Sequence, residues 1–176
     1  MAHFTEKTLN GETFDLSHLD PFVLQVEFDD RTYQTLVNFS CHCFTEKFDG
    51  ARHTAEVAYR HGGERRAFCV DRHLLSLALP QHFSRLGNTS IYHTKKDSFF
   101  FIRSTADLGA SVPYVVFFRS YKSTQEGLDV IVDVGSAYPK PGMTAWASPV
   151  KFHRMIDARA RGRVLPLGRA QKIKRA

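Results

Sequence analysis

Between Leu128 and Val134 apolar and polar residues alternate. Leu128, Val130, Val132 and Val134 fall on one side and Asp129 and Asp133 on the other. That period of two is the signature of a strand with one buried face. Two further strands are predicted upstream, over residues 98–103 and 114–121. In the first, the run Phe99-Phe100-Phe101-Ile102 implies burial on both faces. Residues 22–28 and 32–44 flank Asp29-Asp30-Arg31 and predict an N-terminal hairpin. Short strands are expected over residues 54–60 and 65–70, on either side of Gly62-Gly63. Residues 1–20 read as polar and broken, with a turn signal at Asn10-Gly11, and residues 46–53 and 105–112 read as loops.

Helical spacing occurs twice. Asp71 is placed to cap a short helix whose stripe is Leu74, Leu75, Ala78 and Leu79; Pro80 must break or restart it, and Gly87 stops it. Ser148-Pro149 reads as a cap followed by proline in the first turn. Phe152, Met155, Ile156 and Arg159 then share one side of a C-terminal helix that Gly162 closes. The expected fold is α+β, with a mostly antiparallel sheet, an N-terminal hairpin, one short Pro-interrupted helix and a C-terminal helix.

Length and composition narrow this further. The 176 residues suit one domain, expected over residues 1–157. Fifteen phenylalanines favour sheet, where aromatic side chains pack well. No apolar run approaches the roughly 20 residues of a membrane span, and the first residues contain no apolar signal core. Cys41, Cys43 and Cys69 are too few for a disulfide framework and imply reduced thiols in a cytoplasmic protein.

Charge is unevenly placed. The chain carries a net +6, but Arg159, Arg161, Arg163, Arg169, Lys172, Lys174 and Arg175 all lie in residues 158–176, which contain no acid. The remainder holds 17 basic and 18 acidic residues. A basic, flexible tail is therefore expected beside a near-neutral body, suited to salt-dependent contact with nucleic acid.

Candidate chemistry is sparse, with no glycine-rich phosphate loop and no nucleophile elbow. Cys41 and Cys43, read on a strand, share a face with Tyr33, Val37 and Phe39 and behave as small core residues, while His42 falls on the polar face with Gln34 and Asn38. Their spacing is not that of a zinc knuckle, so no metal is expected. Asp129 and Asp133 are too far apart on a strand to share an ion and read as solvated edge charges. Ser136 and Tyr138 continue the inward phase of the Leu128–Val134 alternation. Arg103 and Ser104 end another strand. Arg103, Ser136 and Tyr138 together would suit a phosphate or an anionic transition state. His153 is a further acid–base candidate.

The segments Asn38-Phe39-Ser40-Cys41-His42-Cys43-Phe44-Thr45, Phe68-Cys69-Val70-Asp71-Arg72-His73 and Val134-Gly135-Ser136-Ala137-Tyr138 resemble an uncharacterised group of bacterial proteins. The order of a helix followed by antiparallel strands, with Arg, Ser, Tyr and His as the available catalytic types, is similar to RelE-type and barnase-type RNase toxins. That resemblance implies metal-independent cleavage of RNA, free or on the translation machinery, without a cofactor and with a neutralising protein partner. Arg103 would steady the phosphorane, and Tyr138, His42 or His153 would move protons. The near-neutral body and the long N-terminal hairpin region depart from those toxins. The alternative is a non-catalytic regulatory module that binds nucleic acid or protein through the tail.

Overall fold

The computed structural model describes residues 3–95, 98–103, 112–145 and 149–165. Asn10-Gly11 turns β1 (Lys7–Leu9) into β2 (Glu12–Phe14); both residues have positive φ, which asparagine and glycine tolerate. β3 (Phe22–Phe28) and β4 (Arg31–Phe39) form the expected hairpin, in register from Phe22–Val37 to Phe28–Arg31. β4 is shorter than its sequence suggests. Ser40 accepts a hydrogen bond from the His42 amide with its side chain, and Cys41–Cys43 wind into a 3-10 turn. Local side-chain bonding of this kind competes with a ladder.

β5 (Thr45–Lys47), β6 (Ala58–His61) and β7 (Glu64–Phe68) make a small antiparallel sheet, ordered β5-β7-β6. α1 (Val70–Ser76) carries Asp71 in its first turn, with Cys69 rather than Asp71 as cap. It stops before Pro80, which restarts the chain in the first turn of α2 (Leu79–Ser84). β8 (Ser90–Lys95), β9 (Ser98–Arg103), β10 (Tyr114–Lys122) and β11 (Val130–Pro139) form an antiparallel meander. β12 (Val150–Lys151) pairs with β8. Pro149 therefore precedes a strand, and α3 (Phe152–Ala160) starts three residues later than expected, with Lys151 as its cap. Ser148 lies outside the described residues. Gly162, at φ +66, follows the end of α3 as expected.

Among the described residues the main sheet runs β12-β8-β9-β10-β11-β4-β3. One pairing is parallel: β11 against β4, from Val130–Thr35 to Val134–Phe39. β11 is thus interior to the sheet. Asp129 accepts a hydrogen bond from the Gln34 amide at 2.7 Å, and Asp133 accepts from Asn38 at 2.9 Å and from Tyr121 at 2.6 Å. These are bonded groups between strands rather than edge charges.

One face of the sheet is the core. Phe99, Phe101, Val116, Phe118, Val130, Val132, Val134, Val37 and Phe39 meet α2 and α3 there, all essentially buried. Phe83 of α2 sits at its centre, with ring centroids 5.4–6.4 Å from Phe39, Phe101, Phe118 and Phe152. α3 is tied to β4 through buried Asp157, which accepts from the Tyr33 hydroxyl at 2.5 Å and from Arg161 Nε at 2.7 Å. Burial pushes the Asp157 carboxyl up, but these bonds outweigh it and hold its pKa below the usual value.

Two outcomes follow from this packing. Phe83→Ala should cost about 3–5 kcal/mol of unfolding free energy in a denaturant titration. Tyr33→Phe should cost about 1.5–3 kcal/mol at neutral pH, since it removes a bond to a charged group. Because Asp157 ionises more readily folded than unfolded, its contribution is full above the unfolded pKa and is lost as pH falls through the lower folded value. The gap between wild type and Tyr33→Phe should therefore narrow in strongly acidic buffer.

Candidate nucleic-acid interface

β11 contains one residue more than its partner. Phe117 pairs with Ser136 but Phe118 pairs with Val134, so Gly135 is a bulge. The extra residue reverses the facing of everything after it. Ala137 joins the core, while Ser136 and Tyr138 turn to the outer face instead of continuing the inward phase.

That reversal completes a row of rings. On the outer face Tyr92, Phe100, Phe117 and Tyr138 come from β8, β9, β10 and β11 in spatial order, with successive centroids 5.1, 5.9 and 5.7 Å apart. Phe100 is fully buried, and the other three keep partial exposure. Two cations sit over the Tyr138 end of the row. The Arg72 guanidinium lies 5.1 Å from the Tyr138 centroid and Lys140 Nζ lies 5.3 Å from that of Phe117. Arg72 is held in place by donating to the Thr45 carbonyl at 2.7 Å. Beside Phe117 a depression of about 420 Å³ is lined by Thr94, Ser98, Arg119, Asp133 and Gly135.

The same end of the sheet is basic on its helical side. Arg103 ends β9 opposite Tyr114, the first residue of β10. Its guanidinium lies 5.3 Å from the Phe101 ring, and among the described residues its Nε has no hydrogen-bond partner. The buried Tyr114 hydroxyl also has none. The His82 ring, from α2, lies 6.5 Å from that of Tyr114. Burial, then repulsion from Arg103 and Arg85, holds the His82 imidazole below the usual histidine range. Burial, first of all, pushes the Tyr114 phenol far up.

The sequence-predicted constellation is therefore divided. Arg103 and Tyr138 reach the same rim but on opposite faces, because Arg103 shares the side of Phe101 and Tyr138 that of Phe117. Ser136 lies on the face of Tyr138. Ser104 is outside the described residues. His42 is on the 3-10 turn, with Nε2 2.9 Å from Glu64 Oε2. His153 opens α3 at the far end of the sheet, its ring 4.9 Å from Phe28. Burial, then Arg154 and Lys151, lower its pKa.

Residues 158–160, expected in the tail, belong to α3. Arg159 is buried on α3, within bonding distance of Ser120 (3.3 Å) and over the Phe99 ring at 5.6 Å, because it falls on the inward side of the helix. Arg161 is bound to Asp157, and Arg163 is exposed. Arg169, Lys172, Lys174 and Arg175 lie outside the described residues.

Sequence reasoning missed Arg72, His82, Tyr92, Phe117 and Lys140. The outer row left one trace, the two-sided burial expected for Phe99–Ile102. The helical cations left none, since their approach to the sheet depends on how α1 and α2 pack.

Taken together, the outer side of the rim offers apolar ring surface beneath the positive charge of Arg72 and Lys140. Aromatic rings receive unstacked bases, and guanidinium and ammonium groups receive phosphate. Among the described residues no helix is long and apolar enough to cross a membrane. Neither the curated proteins nor the solved structures give a match to the chain. A family model does match it, over residues 6–160, a span that takes in both faces of the basic rim and ends with α3. This chain belongs to the YjaZ family.

Proposed function

We propose that the protein is a non-catalytic regulatory module that binds single-stranded RNA on the outer face of its main sheet. The observation that supports this is the row of rings on four adjacent strands, ending beneath Arg72 and Lys140. Unstacked bases lie against Phe117 and Tyr138, and the two cations take flanking phosphates. Stacking on a protein ring is worth about 1–3 kcal/mol per base and tolerates any base, so the binding is weakly sequence-selective. The near-neutral body makes long-range attraction small and leaves these local contacts to carry affinity.

Fluorescence anisotropy with a labelled single-stranded RNA is the direct measurement. Phe117→Ala and Tyr138→Ala should each weaken binding by about 5- to 150-fold. Lys140→Ala should lower the slope of log affinity against log salt by roughly one. RNA binding that ignores all three substitutions, or no binding by the wild type, would remove the proposal.

Cleavage is the second reading, favoured by the helical side of the same rim. There burial, and then Arg103 and Arg85, hold His82 below the usual histidine range, with its ring beside that of Tyr114. In that reading His82 Nδ1 or Nε2 takes the proton of a 2′-hydroxyl as its oxygen bonds to phosphorus, Arg103 steadies the phosphorane, and the P–O5′ bond breaks with the 5′-oxygen taking a proton from the protonated His82 or from water. The raised pKa of Tyr114 suits it to donate a hydrogen bond rather than a proton. Incubation with total RNA or translating ribosomes should then give cleavage that His82→Ala lowers by about 10²–10⁴-fold. Intact RNA after incubation with the wild type would leave binding alone.

A further inference from the structure

We propose that Cys41, His42 and Glu64 form a binding site for a single zinc-like divalent cation. The proposal is independent of the RNA reading. The Cys41 Sγ, a His42 ring nitrogen and a Glu64 carboxylate oxygen all lie within 4.8 Å of one another. In a tetrahedral zinc site, bonds of about 2.0–2.3 Å put neighbouring ligand atoms about 3.3–3.8 Å apart. The His42 Nε2–Glu64 Oε2 pair, a hydrogen bond of 2.9 Å that the ion would replace, is slightly closer than that. The widest separation therefore has to close by only about 1 Å, within reach of small side-chain torsions.

The three ligands come from two elements that are fixed around them. Ser40 caps the 3-10 turn by accepting the His42 amide, and its own carbonyl accepts from the Cys43 amide. Thr45 donates to the Cys41 carbonyl at 2.6 Å. Glu64 follows the Gly62-Gly63 turn, whose residues both have positive φ, and so faces the 3-10 turn from the start of β7. Arg66 holds the other carboxylate oxygen, Oε1, at 3.0 Å, which leaves Oε2 free of it. The Nε of Arg66 in turn donates to Thr45 at 2.7 Å. A carboxylate held at one oxygen and offered at the other is the outer-contact pattern of a metal ligand.

The chemistry of the set selects the ion. Thiolate, imidazole and carboxylate together suit zinc rather than magnesium or calcium, which prefer all-oxygen sets. Cys41 is buried, whereas the His42 and Glu64 side chains are 34% and 50% exposed. The fourth position accordingly faces solvent and is taken by water. On binding, the Cys41 thiol gives up its proton and the neutral His42 carries its remaining proton on Nδ1, leaving Nε2 to the metal. Thiolate and carboxylate then balance the charge of the ion. Cys43, by contrast, is fully buried and lies outside the group of three.

Cobalt(II) is the probe, added to the purified full chain and followed by absorption. One equivalent should bind and produce a thiolate-to-cobalt charge-transfer band, and zinc should abolish it by displacement. Cys41→Ser should remove the band and Cys69→Ser should keep it. Glu64→Gln and His42→Ala change exposed side chains and should fold. Each should weaken cobalt binding by more than the roughly 10–100-fold expected for losing a supporting outer contact. A wild type without the band, a band that survives Cys41→Ser, or unchanged affinity in both exposed-ligand variants would overturn the site.

Discussion

β11 is clamped between two neighbours that fix its register independently. On one side Val130–Val134 lie parallel to Thr35–Phe39, and on the other the strand runs antiparallel to β10. A strand with a single neighbour sheds an extra residue by slipping, but here slippage would break the second ladder. The surplus is instead absorbed in place, as the bulge at Gly135. The consequence is a phase reversal halfway along the strand. Val130, Val132 and Val134 fill the core, and then Ala137 does, so that Ser136 and Tyr138 emerge on the far side. Without that reversal Tyr138 would compete with Tyr114 and α2 for buried space. With it, Tyr138 stacks on Phe117 and meets Arg72.

How much of this could be read from the sequence depends on whether the signal was local. β9 follows from its residues alone, as do the β3–β4 hairpin and the Pro80 interruption, because periodicity and turn chemistry act over a few positions. The bulge does so only in part: Gly135, isolated within a strand pattern, is a signal for an extra residue, but the mismatch itself exists only relative to Phe117-Phe118. The turn at Cys41–Cys43 was hidden for a related reason. Strand alternation and a capped 3-10 turn both bury Cys41 and Cys43 and leave His42 half exposed, so the pattern of exposure fits either geometry. Asp129 and Asp133 misled because alternation reports which side a residue faces, and not whether a neighbouring strand lies beside it.

The charge of the chain changes meaning once it is located in space. Arg159 and Arg161 belong numerically to the basic end, yet one is buried over Phe99 and the other is spent on Asp157. Meanwhile Arg72, Arg85 and Arg103, which a count of the near-neutral body cancels against its acids, come together at one end of the sheet. There Arg103 and Arg85 add to burial in lowering the pKa of His82, and Arg72 lies over the half-buried Tyr138 ring; among the described residues none of the three pairs with a carboxylate. A small local excess beside aromatic surface is a stronger determinant of where a polyanion docks than the net charge, which salt screens within about 10 Å.

Thr45 joins the two proposed sites. Its hydroxyl donates to the Cys41 carbonyl and accepts from Arg66, which holds Glu64, while its own carbonyl accepts from Arg72. Thr45 is fully buried, so none of these bonds has water as an easy substitute. The cation proposed at Cys41, His42 and Glu64 would therefore bind against the same residue that anchors the guanidinium over Tyr138. An ion that draws Cys41 and Glu64 together acts on Thr45 from two directions, and Arg72 is the next group in that chain. Among the described residues Arg72 is positioned over Tyr138 by its hydrogen bond to the Thr45 carbonyl and by the ring contact, so the two proposed sites share one buried residue as support.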